Sequence, residues 1–115
     1  MKRITLLATV VTAAAFAANA GAATPKLAAS VSDPLNISLK SSGKKVTSLK
    51  AGKYTIVVSD TSAAHNFHLT GPGVNKTTSV GGKGTSTWTV TLKKGTYKYV
   101  CDPHASIMKG SFTVK

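Results

Sequence analysis

Ser86-Thr87-Trp88-Thr89-Val90-Thr91-Leu92 puts Trp88, Val90 and Leu92 on one side of an extended chain and threonines on the other. A period of two held over seven residues marks a β-strand with one buried face. Shorter versions of the same pattern lie on both sides of it. Leu35-Asn36-Ile37-Ser38-Leu39 and His65-Asn66-Phe67-His68-Leu69 alternate, and Tyr54-Thr55-Ile56-Val57-Val58 is rich in β-branched residues. Thr96-Tyr97-Lys98-Tyr99-Val100-Cys101 and Ser111-Phe112-Thr113-Val114 follow. Residues 46–49 read as a brief edge segment and residues 74–80 as weakly extended. Turn residues separate these runs at Ser42-Gly43, Ala51-Gly52, Gly71-Pro72-Gly73, Gly81-Gly82-Lys83-Gly84 and Lys94-Gly95. No segment after residue 23 repeats every 3.6 residues. About seven or eight short strands spaced in this way predict an all-β sandwich or barrel.

The first residues read differently. Lys2 and Arg3 precede an uncharged apolar run over 4–18, and small residues with Ala-x-Ala spacing follow. That order is the pattern of a secretory signal peptide, with cleavage expected between about residues 20 and 23. The run is short for a membrane span, which needs about 20 apolar residues; retention as an anchor is the alternative. Residues 1–23 are therefore set apart as a leader, 24–34 as a flexible lead-in, and 35–115 as one folded domain. An exported protein is expected, in the periplasm or outside the cell.

Beyond the leader stand thirteen lysines, no arginine and three acids, Asp33, Asp60 and Asp102, a formal charge of +10. Such a surface attracts acidic proteins or an anionic membrane surface. None of the sequence patterns of nucleic-acid binding is present, and nucleic acid is not an expected partner. Three acids leave no credible catalytic carboxylate pair, and no glycine-rich loop leads into a helix. An enzyme is not expected.

The chemistry concentrates in Cys101-Asp102-Pro103-His104-Ala105-Ser106-Ile107-Met108. Cys101 is the only cysteine, so it has no disulfide partner within the chain. In an exported protein a free thiol calls for an occupant. A thiol, an imidazole and a thioether within eight residues form a soft-metal donor set. A trigonal copper site adds a second imidazole, which must come from His65 or His68. Strand alternation puts His65 on the face of Phe67 and Leu69, looking inward, and His68 on the outer face with Asn66 and Thr70. His65 is the expected ligand. A buried structural cysteine, a thiol-protease nucleophile and a zinc site are the competing readings. Cys101 closes a strand rather than opening a helix, which disfavours a nucleophile. A thioether adds little for zinc, and copper binds such a site more tightly.

Ala64-His65-Asn66-Phe67, Cys101-Asp102-Pro103-His104 and Met108 together resemble the cupredoxins of the plastocyanin/amicyanin type, over about residues 35–115. The resemblance implies a Greek-key β-sandwich holding one mononuclear type 1 (blue) copper and passing single electrons. It implies His65, Cys101 and His104 as equatorial ligands, Met108 as the axial one, and Asn66 as a brace of the cysteine loop. Three residues separate His104 from Met108, where plastocyanin-like members have four and amicyanins two. The expected partner is a redox protein with an acidic docking patch, met through a rim at His104 flanked by lysines, and the expected state is a monomer. The alternative is a copper storage or delivery module. One methionine after Met1, without a Met-rich or His-rich tract, does not favour it.

Overall fold

The computed structural model describes residues 24–115; the leader assigned to residues 1–23 lies outside them. Among the described residues ten strands form two five-stranded sheets. The first contains β1 (Lys26–Ser32), β2 (Asn36–Ser41), β3 (Lys44–Lys45), β5 (Gly52–Asp60) and β8 (Gly84–Leu92), in the order β3-β2-β1-β5-β8. The second contains β4 (Ser48–Leu49), β6 (His68–Gly71), β7 (Val74–Thr77), β9 (Gly95–Val100) and β10 (Lys109–Val114), in the order β4-β10-β9-β6-β7. The chain crosses repeatedly between the sheets, which gives the Greek-key sandwich expected from the sequence. Among the described residues the only helical element is a 3-10 turn over Asp102–His104.

Burial follows the alternation. Tyr54, Ile56, Val58 and Asp60 of β5 point inward, as do Trp88, Val90 and Leu92 of β8. These two strands pair antiparallel from Gly52↔Leu92 to Asp60↔Gly84. From the second sheet come Leu69, Tyr97, Tyr99, Phe112 and Val114. Tyr97 stacks on Phe112 with centroids 5.3 Å apart, and Phe67 stacks on Tyr99 at 5.3 Å and tilts toward Trp88 at 6.2 Å. Offset aromatic pairs of this kind add about 0.5–1.5 kcal/mol beyond their burial.

One element departs from the sequence reading. Residues 24–34 were expected to be a flexible lead-in, yet 26–32 form β1 near the centre of the first sheet, between β2 and β5. It pairs parallel with β5 and antiparallel with β2. Its inward residues are Leu27, Ala29 and Val31. The alternation is present, but an alanine at its middle and flanking serines blunt it.

The register fixes two ends. Gly52, Leu92, Gly95 and Val114 share one. Asp60, Gly84, Ser32, Asn36, Val100 and Lys109 lie toward the other. Three segments meet at the second end: the turn 33–35, the irregular stretch 61–67, and the loop 101–108.

Candidate metal centre

Cys101 follows the last residue of β9 directly, and β10 begins at Lys109, so the loop between them is clamped by the ladder at both ends. Cys101 N–H donates to the Met108 carbonyl (3.0 Å), which closes the loop on itself. Inside, His104 N–H donates to Cys101 O (3.0 Å) and Met108 N–H to His104 O (2.8 Å). Pro103 pre-sets the turn, since its fixed φ suits the start of a helical turn. These bonds hold the Cys101 and His104 side chains on one side of the loop.

The third donor comes from the other sheet connection. The stretch 61–67 is not a strand; β6 starts only at His68. His65, Asn66 and Phe67 are all buried in succession, so strict alternation stops there. His65 nevertheless faces inward and His68 outward, as expected. Cys101 Sγ lies 3.6 Å from His65 Nδ1 and 3.6 Å from His104 Nδ1, and the three donor atoms lie within 4.8 Å of one another. With metal–sulfur and metal–nitrogen bonds of about 2.3 and about 2.0 Å, a sulfur and a nitrogen on one ion at trigonal to tetrahedral angles sit about 3.5–3.7 Å apart. Both sulfur–nitrogen separations match that span. Cys101 and His65 are buried, and His104 is partly exposed.

The far side of His65 explains which nitrogen is available. His65 Nε2–H donates to Pro34 O (2.8 Å) and lies 3.1 Å from Asp33 Oδ1. A proton held on Nε2 leaves the Nδ1 lone pair free toward Cys101, the usual way outer groups fix a ligand tautomer. Asp33 is itself held by Ser62 Oγ–H at 2.8 Å. Sequence reasoning missed Asp33 and Pro34: they lie 31 or more residues from His65 in the chain, and only the β1–β2 turn brings them there.

Asn66 takes the bracing position expected of it. Its Oδ1 accepts Asp102 N–H (2.7 Å), and its Nδ2 donates to Asp102 Oδ2 (2.7 Å) and Thr77 Oγ1 (3.0 Å). Asp102 also accepts from His68 Nδ1 (3.0 Å), whose Nε2 donates to Asn75 Oδ1 (2.7 Å). The hydrogen bond from Asn66, then that from His68, holds the Asp102 carboxyl below the usual value. His68 is raised first by its bond to Asn75; burial opposes this, and the bond to Asp102 and its charge raise it further. His68 is thus a partner of the cysteine loop and stands apart from the donor cluster. Met108 is fully buried within the same loop.

The chain's comparisons agree with this geometry. The model of the copper-binding proteins of the plastocyanin/azurin family matches residues 29–115. The chain belongs to that family. Among solved structures, reduced rusticyanin is similar at 21% identity and TM-score 0.57, covering 78% of each chain. Rusticyanin from Thiobacillus ferrooxidans is similar at 25% identity and TM-score 0.54, covering 78% of this chain and 76% of that one. No curated protein matches the sequence significantly. Family, fold and the His65–Cys101–His104 cluster together make this a blue copper protein with a single type 1 site.

Proposed function

We propose that this cupredoxin is a one-electron carrier in which His65 Nδ1, Cys101 Sγ and His104 Nδ1 hold the copper and Met108 supplies a weak axial thioether. Copper bound there supplies a one-electron couple between its two oxidation states. The observation that carries the reading is the convergence of one thiol and two imidazole nitrogens at 3.6 Å on a loop tied at both ends. The frame needs no rearrangement to keep that arrangement: backbone bonds hold Cys101, His104 and Met108, and Pro34 with Asp33 holds His65. A rigid donor set suits both oxidation states and keeps the cost of electron transfer low.

His104 is the ligand that reaches the surface, and its surroundings suit contact with another protein. All three large hydrophobics exposed among the described residues lie on segments near the metal end. Ile107 is in the cysteine loop, Leu35 follows the Pro34 that contacts His65, and Val80 lies two residues past the Thr78 that contacts Asn66. An apolar rim around a partly exposed ligand is a place where a redox partner can approach closely and dry the contact. The net positive charge favours a partner with acidic groups. Export to the periplasm or cell exterior belongs to the same proposal and rests on the leader pattern of residues 1–23.

Copper(II) added to the metal-free protein tests the site. The expected result is an intense blue colour from thiolate-to-copper charge transfer, lost on reduction and restored on reoxidation. Cys101→Ser removes the colour. A protein that stays colourless, or that gives up its copper quickly to a weak chelator and does not cycle, is not an electron carrier of this kind; rapid surrender marks storage or delivery instead.

A further inference from the structure

The acids are confined to one end of the sandwich, and most of the lysines stand away from it. All three acids beyond the leader lie at the metal end. Asp33 reaches His65, Asp60 accepts the Ser62 N–H and closes β5, and Asp102 follows Cys101. The opposite end is built from the turn 50–52, the turn 93–95 and the C-terminus. Lys50, Lys93, Lys94 and Lys115 stand there, with Lys26 and Lys53 on the neighbouring strand starts. Ala51 N–H donates to Lys115 O (3.1 Å), which ties the first of these turns to the terminus. All six lysines are exposed. Among the described residues, no lysine lies within ion-pair distance of a carboxylate.

We infer that this end is an adsorption surface for an anionic lipid bilayer, on which the protein stands with its metal end turned to solvent. The chemistry of the end favours headgroups over an acidic protein. Protein interfaces are rich in aromatics and arginine, are poor in lysine, and centre on a buried apolar anchor. This end has lysines and no arginine, and the exposed large hydrophobics sit at the other end of the molecule. Flexible ammonium groups spread over several turns match a diffuse field of lipid phosphates, which attracts each basic residue near the surface. Among the described residues the metal end carries only Lys83 and Lys109 beside the three acids, so the field acts more strongly on the lysine end and orients the molecule. The chain also enters the fold here, since β1 begins at Lys26. The surface does not depend on the copper chemistry, and its test can fail while the electron-transfer reading stands.

The full chain is mixed with phosphatidylcholine vesicles, and with vesicles in which about a third of the lipid is phosphatidylglycerol, at about 0.05 M salt where screening is weak. Residues 1–23, with Lys2 and Arg3, are the same in every variant, so their contribution does not distinguish the two lysine sets. Co-sedimentation is expected to be at least about tenfold stronger on the anionic vesicles and to fall as salt is raised. Two charge-matched variants then locate the contact. Lys50→Gln/Lys93→Gln/Lys94→Gln/Lys115→Gln is expected to lose about tenfold or more, and Lys76→Gln/Lys83→Gln/Lys98→Gln/Lys109→Gln to stay within about twofold of the parent. Unfolding midpoints by circular dichroism confirm that both variants are folded. Equal partition onto the two vesicle types overturns the proposal, and so does equal loss in the two variants. Retention on immobilised polyglutamate that depends on the first lysine set, with no vesicle binding, assigns the end to an acidic protein and also overturns it.

Discussion

His68 has an acceptor at each ring nitrogen, Asp102 and Asn75, and that arrangement favours the charged ring. Its raised pKa means that the stability it adds is complete below its ordinary value of 6.5 and is lost as pH rises through the higher folded value. Asp102 acts in the opposite sense: its contribution is complete above 3.8 and is lost as pH falls through its lowered folded value. The pair is therefore strongest between those limits. His68→Gln in the metal-free protein is expected to flatten the fall in unfolding midpoint above about pH 6.5, by no more than about 1 kcal/mol because the pair is partly solvated; thermal melts of both proteins across that range check it. Asp33→Asn is expected to weaken copper binding about tenfold, the low end for groups behind a metal ligand, because Pro34 O still holds the Nε2 proton of His65. Competition with a chelator measures this. At this scale the sequence was partly legible. Cys101 and His104 announce themselves by spacing. His65 faces inward as alternation has it, but Asn66, which the same rule puts outside, is buried as well because this stretch is not a strand. The supports Asp33, Pro34 and Asn75 carry no local signal, since their roles exist only after the turns have been brought together.

Among the elements, the legible strands are those whose inward residues are large. β8 shows Trp88, Val90 and Leu92 against threonines, and β5 shows Tyr54, Ile56 and Val58. β1 was hidden because Ala29 stands at the centre of its inward face, although it is buried as fully as Leu27. A small inward residue lowers the contrast that a period of two depends on. Close packing at the strand ends was equally silent in the sequence. The Tyr97 ring lies directly over Gly71, and its hydroxyl donates to Pro72 O (2.9 Å) while accepting Lys93 N–H (2.8 Å). A methyl group at position 71 would overlap that ring. Gly71→Ala is expected to cost about 1–3 kcal/mol, the range for overpacking a filled interior. The shift in denaturant midpoint, with unchanged slope, checks it.

For the molecule as a whole, fifteen basic residues against three acids mean self-repulsion in the compact state. Raising ionic strength from about 0.01 to about 0.15 M shortens the screening length from about 30 to about 8 Å. The unfolding midpoint is expected to rise over that interval, as thermal melts would show, most of all between the crowded lysine turns. Lys40 and Lys45 lie directly opposite each other across β2 and β3, a like-charge pair that screening relieves.

The sole thiol has no exposed surface at all. Oxidants, alkylating reagents and the thiols of other copies can reach it only when the loop or the sandwich around it opens, so its chemical lifetime is set by the frequency of opening rather than by its intrinsic reactivity. A folded chain that has not yet met its metal is thereby protected from sulfenylation and from cross-linking into disulfide dimers. The same burial that prepares the ligand also gives the empty protein time to wait for its cargo.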